Sequence, residues 1–301
     1  MSARVAGAAI PIGVGLTALY TALISSADAI TKFFGQAYAA PQLFAVSGLI
    51  VAALAFATNR GGRARRGMVT RCPGAMAVRV AATVAGSVAF YYAFRLLPFA
   101  EVFLFIALIP LMTALLSGPV LGEEVRPQAW AALCLGLLGV LCLFPTGLSG
   151  IGAGHAVAFT AVALGTVSMM ASRYIGRRDD NLLAQVFYPN LGLALAMLVA
   201  LPFVWRPMGL MDLGWAAAYA TLLFGARWVL VAAFRALPAY VVTPLMNLQF
   251  VWMVVLGALA FGEMPGLLVF AGAGIMVTAG AWLIWDQTLP ARRAAKVVPA
   301  E

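Results

Sequence analysis

Five ionisable side chains stand inside runs that are otherwise apolar: Asp28, Lys32, Arg79, Glu101 and Arg227. An ionised group within a bilayer costs roughly 2.5–3.5 kcal/mol on insertion scales, so each must be paired or must line a wet cavity. Asp28 and Lys32 are spaced i, i+4 and share one helix face. They read either as a charged lining of a substrate path, with Asp28 a proton or cation site, or as a structural pair whose lysine reaches out to the interface. Arg227 lies furthest from either end of its run. In a cavity it would attract a carboxylate; otherwise it bridges to an acid such as Asp28 or Glu101. Arg79 sits one turn inside its run, and Glu101 follows Pro98 with Arg95 as a candidate partner.

Uncharged groups extend this set. Asn190 follows Pro189, while Asn247 and Gln249 are two residues apart and face different ways, so at most one of them lines a path. Tyr91, beside Tyr92 and Phe94, could stack a planar substrate or simply pack. Pro110, Pro189 and Pro244 interrupt apolar runs. Each removes a backbone bond and frees a carbonyl one turn earlier, which makes them hinge candidates. Chemistry of other kinds finds no footing. His155 is the only histidine, and Cys72, Cys134 and Cys142 form no CxxC. No metal cluster, nucleophile–base pair or phosphate-binding GxxxxGK[ST] is present, so the expectation is a chain without catalysis, metal or cofactor.

The elements that must hold these groups are membrane helices. The 301 residues are 64% hydrophobic and 10% charged. Soluble chains carry roughly 25% charged residues, so lipid must be the solvent here. Ten spanning segments are expected, at 10–34, 41–58, 75–95, 98–118, 127–145, 153–176, 182–204, 211–235, 239–261 and 266–286. The first is too long for a signal core and is read as an uncleaved helix. Basic residues set the orientation. With the N-terminus inside, Arg4, the Arg60–Arg71 loop, Arg126, Arg173, Arg177, Arg178, Arg235 and the Arg292–Lys296 tail all fall inside. Only Arg95 and Arg206 fall in outer loops. The positive-inside rule then places both termini in the cytoplasm of a bacterial-type inner membrane. The net charge of +9 reads as this topology signal, not as a nucleic-acid footprint.

The chain also repeats itself. Residues 93–125 return, without a gap, as 233–265, sharing Ala-Phe-Arg-x-Leu-Pro at the start and Gly-Glu near the end. A weaker match relates Ile30–Gly35 to Ala171–Gly176. Five helices per half is an odd number, so the second half enters the membrane upside down. Inverted repeats of this kind underlie alternating access in secondary transporters. The fold expected is all-α and integral to the membrane, with ten helices in two inverted five-helix repeats: 1–150, then 151–287, with a cytoplasmic tail at 288–301.

The residues carrying this pattern resemble the drug/metabolite transporter superfamily, in particular its EamA-type ten-helix members. They are Ala93, Leu97-Pro98, Pro110-Leu111, Leu121-Gly122-Glu123, Gln128 and Gly136 to Val140 in the first half. In the second they are Ala233, Leu237-Pro238, Pro244-Leu245, Gly262-Glu263, Gly272, Gly274 and Gly280. Pro110 has no counterpart at Phe250, and Met264-Pro265 follows the second Gly-Glu in place of a charged residue. The resemblance implies carriage of amino acids, nucleosides, vitamins, S-adenosylmethionine or opine-type metallophores, more commonly outward. The in-helix cations favour a zwitterionic or anionic, amino-acid-like substrate, an opine-type metallophore included. Uptake of a vitamin or S-adenosylmethionine-like nutrient is the alternative. The expected partners are this small molecule, membrane lipid, a proton as coupling ion and a second copy in a homodimer.

Overall fold

The computed structural model describes residues 3–60, 69–122, 127–142, 151–179, 181–236, 245–275, 277–279 and 281–282. Pro244, Glu123 and the 288–301 tail therefore lie outside the described residues. All regular structure among the described residues is α-helical. The helices are α1 (Ala3–Ala37), α2 (Ala40–Arg60), α3 (Pro73–Leu96), α4 (Phe99–Ile106), α5 (Leu108–Leu121), α6 (Pro127–Leu141), α7 (Ala153–Gly176), α8 (Leu182–Val204), α9 (Leu210–Ala236) and α10 (Leu248–Phe261). A shorter apolar helix, α11, covers Leu267–Ala279.

Six of these, α1, α2, α3, α7, α8 and α9, are long and apolar enough to cross a membrane. The expected fourth span is instead two helices with a break at Ala107. The cause is local. Pro110 has no N–H to give the carbonyl four residues back, at Ile106, so the helix ends there and restarts. The ninth span is helical from Leu248 onward, preceded by a turn at Met246 and Asn247. α6, α10 and α11 are short among the described residues.

Helix ends follow from chemistry visible in the chain. Pro73 opens α3 at a position where a missing N–H costs nothing. Asn181 caps α8, its side chain accepting from the Ala184 N–H at 3.2 Å. α10 ends on Gly262, whose φ of 66° is left-handed, and Gly122 has a φ of 67° after α5. A Cβ is strained at such angles, which explains the glycine in both Gly-Glu pairs.

The bundle is held by three long helix pairings: α1 along α9, α3 along α7, and α2 along α8. Water does not drive helices together in lipid, so close packing of small residues must contribute. Gly48 of α2 illustrates this. A Cβ there would stand 2.9 Å from the Asn190 carbonyl oxygen and 3.1 Å from the Ala194 Cβ of α8. Large apolar side chains such as Phe203 and Leu259 face outward, 85% and 81% exposed, as lipid contact requires.

Candidate functional site

A cavity of about 260 Å³ opens where α2, α3, α7, α8 and α9 meet. Helical periodicity sets its walls. α3 presents Arg79, Thr83 and Ser87, and α9 presents Tyr219, Leu223 and Arg227, each set spaced i, i+4, i+8 on one face. Ser47 of α2, Ser168 of α7 and Asn190 of α8 add polar groups.

Arg79 is fixed before any ligand arrives. Its Nη1 donates to the Ser168 carbonyl at 3.3 Å and its Nη2 to the Gln185 carbonyl at 3.2 Å. The second acceptor exists because of Pro189. A proline there cannot donate to the carbonyl of Gln185, and the arginine fills the place. The Nε of Arg79 is buried and has no hydrogen-bond partner among the described residues. Neighbouring polar groups are also tied down. Thr83 and Ser168 hydroxyls meet at 2.8 Å, the Ser172 hydroxyl donates to Gln185 Oε1 at 2.8 Å, and Asn190 Nδ2 donates to the Val186 carbonyl at 2.7 Å. Arg227 lines the same cavity from α9 and is an exposed residue of that helix. Neither arginine forms an ion pair among the described residues, and no Asp or Glu lines the cavity. Two permanent cations therefore share one hollow lined with hydroxyls and an amide.

A second polar cluster sits at the Lys32 end of α1. Lys32 Nζ donates to the Leu97 carbonyl at 2.7 Å and pairs with Glu263 Oε1 at 2.8 Å. Glu263 Oε2 in turn accepts the Phe99 N–H at 2.7 Å, one of the free donors that open α4. The lysine also lies 5.5 Å from the centre of the Phe261 ring. This cluster joins α1, the α3–α4 corner and the segment after α10. A smaller cavity of about 190 Å³ adjoins it, lined by Glu101, Glu263 and Met253 among others.

The remaining sequence candidates fall apart from the cavity. Asp28 does not pair with Lys32; its carboxylate accepts from Gln249 Nε2 at 3.1 Å. Glu101 has His155 Nε2 at 3.9 Å as its neighbour, not Arg95. Tyr91 is fully buried, edge-on to Phe44 and Tyr92, with its hydroxyl donating to the Tyr38 carbonyl at 3.0 Å. Asn247 precedes α10 without a side-chain cap bond. Pro110 lies in α5, three residues past the Ala107 break, and Pro189 lines the cavity. Of the eight path candidates, the structure brings Arg79, Asn190 and Arg227 together.

Sequence reasoning passed over Ser47, Thr83, Ser87, Ser168 and Tyr219. The signal was there for three of them: stepping by four from Arg79 gives Thr83 and Ser87, and stepping back by eight from Arg227 gives Tyr219. Ser47 precedes Gly48, the small residue that brings α2 against α8. Ser168 carries no such mark.

On the loop side of α3 and α8, Asp179 is held by backbone. Its Oδ2 accepts the Arg71 N–H at 2.8 Å and its Oδ1 the Asn181 N–H at 3.1 Å. These bonds, that from Arg71 first, hold its carboxyl below the usual carboxylate range.

Residues 11–144 match the EamA-like transporter family. No curated protein matches the sequence. Among solved structures, 21 chains match. One crystal structure is 21% identical and covers 96% of this chain and 99% of its own, with a TM-score of 0.57. At that identity the likeness speaks for a shared fold across almost the whole length.

Proposed function

We propose that this multi-pass membrane protein, whose residues 11–144 match the EamA-like transporter family, is a secondary transporter that moves a small carboxylate-bearing metabolite, zwitterionic or anionic, through the Arg79–Arg227 cavity. The observation that carries this reading is the pair of guanidinium groups lining one hollow with no acid beside them among the described residues. A charge held within a membrane-spanning helix without a protein partner is costly, so it is retained where a ligand supplies the partner. The substrate is amino-acid-like, opine-type metallophores being within the class, and the direction is export. A proton is the coupling ion, with Asp28 or Glu101 as its carrier.

Alternating access between two inverted halves, 1–150 and 151–287, is the mechanism. Three observations support the halves. Exchanging first-half and second-half helices turns the α1–α9 pairing into the α7–α3 pairing and returns α2–α8 to itself. Helix breaks fall at Ala107 and at Asn247, which align in the sequence repeat. The left-handed glycines, Gly122 and Gly262, align as well. Swapping conformations between such halves opens the cavity first to one side and then to the other. The basic residues favour cytoplasmic termini in a bacterial-type inner membrane, and a homodimer is the assembly we assign. Uptake of a vitamin or S-adenosylmethionine-like nutrient would lean on stacking; among the described residues Tyr219 is the single aromatic residue lining the cavity, which favours the carboxylate reading.

Counterflow into proteoliposomes with a labelled panel of carboxylates, amino acids and vitamins tests the proposal. Saturable exchange of a carboxylate-bearing compound is expected, and exchange of none of them would overturn it.

A further inference from the structure

The cavity carries two positive charges, and nothing among the described residues lining it offsets them. Guanidinium groups stay protonated in proteins, so this charge is present at any physiological pH. The other polar lining groups are the hydroxyls of Ser47, Thr83, Ser87, Ser168 and Tyr219 and the Asn190 amide. All are neutral.

The charge is also gathered at one end. Arg79 comes first in its i, i+4, i+8 set and Arg227 comes last, and Phe44 of α2 packs against both Tyr91 and Tyr219, so the Tyr219 end of α9 lies level with the Ser87 end of α3. Ser87 and Tyr219 are each eight residues from the arginine of their own helix, or about 12 Å along its axis. The two cations therefore lie at the same end of the cavity, and the opposite end is neutral and hydroxyl-bearing. At the arginine end the Nε–H of Arg79 is buried with no hydrogen-bond partner among the described residues.

A zwitterion fits this arrangement poorly. Its carboxylate would meet one guanidinium, but its ammonium would find no carboxylate and two like charges. Asp28, the acid within electrostatic range of Tyr219, does not line the cavity and already accepts from Gln249 at 3.1 Å. A ligand with two negative charges would satisfy both arginines, since guanidinium matches carboxylate and phosphate oxygens through paired N–H donors. The volume of about 260 Å³ sits below the roughly 300–1,000 Å³ of drug-sized pockets, so the ligand is compact.

We propose that the arginine end of the cavity selects a compact dianion, either two carboxylates on a short chain or one phosphate, over zwitterionic amino acids. This rests on the reading of the cavity as the substrate site; two carboxylates narrow the carboxylate class proposed above, whereas one phosphate replaces it.

Equilibrium binding to the purified full-length protein in detergent micelles tests it with four labelled probes. Succinate has two carboxylates, succinamate replaces one with an amide, 4-aminobutanoate replaces one with an ammonium, and inorganic phosphate carries its charge on one centre. Succinate or phosphate is expected to bind at least about tenfold tighter than succinamate and 4-aminobutanoate, the low end for a charge-assisted hydrogen bond. Succinate ahead of phosphate assigns two carboxylates, and the reverse order assigns one phosphate. Arg227→Gln should collapse the preference, and Arg227→Lys should restore part of it. If 4-aminobutanoate binds as tightly as succinate and phosphate, the dianion proposal is overturned while a carboxylate transporter stands. If none of the four binds at millimolar concentration, the dianion proposal falls, and counterflow then decides separately whether any carboxylate is carried. The comparison among probes on the unmodified protein decides the matter even where a variant fails to fold.

Discussion

Lys32 and Arg227 both carry charge into an apolar helical bundle, yet among the described residues Lys32 is met by a carboxylate and Arg227 is not. Lys32 has a carbonyl at 2.7 Å and a carboxylate at 2.8 Å, and that carboxylate has its own backbone donor. The cluster is closed, and three separate parts of the chain depend on it. Arg227 shares a cavity with a second arginine and with neutral groups. A charge satisfied by the protein acts as structure, whereas one left open is kept for something that arrives and leaves. The same residue class thus serves two ends, and the partner list separates them.

If that contrast holds, removing each side chain should move a different quantity. The largest effect is expected for Lys32→Met, which leaves Glu263 without its cation and should lower folding stability. Breaking a buried pair costs about 3 kcal/mol at the low end of the known range, appropriate because Glu263 is 28% exposed. Thermal unfolding in detergent reads it, and combining Lys32→Met with Glu263→Gln should recover part of the loss. An unchanged melting temperature in the single variant would erase the distinction between the two regions.

Arg227→Gln is expected to do the reverse. Losing one charge-assisted contact weakens ligand binding by about 1.5–3 kcal/mol, or roughly 10–100-fold, with the melting temperature of the free protein held or raised. A fall in stability with intact binding would assign Arg227 to the scaffold instead. Arg79→Gln should lower both quantities, because its guanidinium also holds the Ser168 and Gln185 carbonyls.

Gly48→Ala tests the α2–α8 packing behind the cavity wall. The new Cβ would meet the Asn190 carbonyl at 2.9 Å, backbone that cannot rotate away. Pushing α2 from α8 should cost about 1–3 kcal/mol and weaken all ligands alike, without changing their ranking. A changed ranking would make Asn190 a discriminating contact.

The smallest shift is expected from Asp179→Asn, at the loops before α3 and α8. Its folded-state pKa is depressed, so its contribution is fully present above the usual carboxylate value of about 3.9 and is lost as pH falls below that. Melting temperatures compared at neutral pH and near pH 3 should differ less in the variant than in the unmodified protein. Equal acid sensitivity in both would exclude Asp179 as a source.

Much of the site could be read from the chain, and the rest could not, for identifiable reasons. Arg227 stood out because its distance from either end of a hydrophobic run is a property of one helix. Pro189 pointed to a freed carbonyl for the same reason, though not to Arg79 as the group that uses it. Lys32 was placed beside Asp28 because i, i+4 neighbours share a face. In the folded bundle α1 carries Asp28 towards α10 and Lys32 towards the α3–α4 corner, so each finds a partner more than 200 residues away in the chain. Tyr91 looked available and is sealed, because α2 presents Phe44 against it.

By itself the sequence determined that this chain must live in lipid, that its polar groups are few and deep, and that one long string occurs twice. Those conclusions depend on composition and on the period of a single helix, both local quantities. The tertiary structure alone decided that Lys32 is neutralised by Glu263 and that Arg79 and Arg227 line one hollow. A helix turns every 3.6 residues whatever surrounds it, but which face meets which is set by packing between helices distant in the chain. The charges that packing leaves unmatched are the ones open to a substrate.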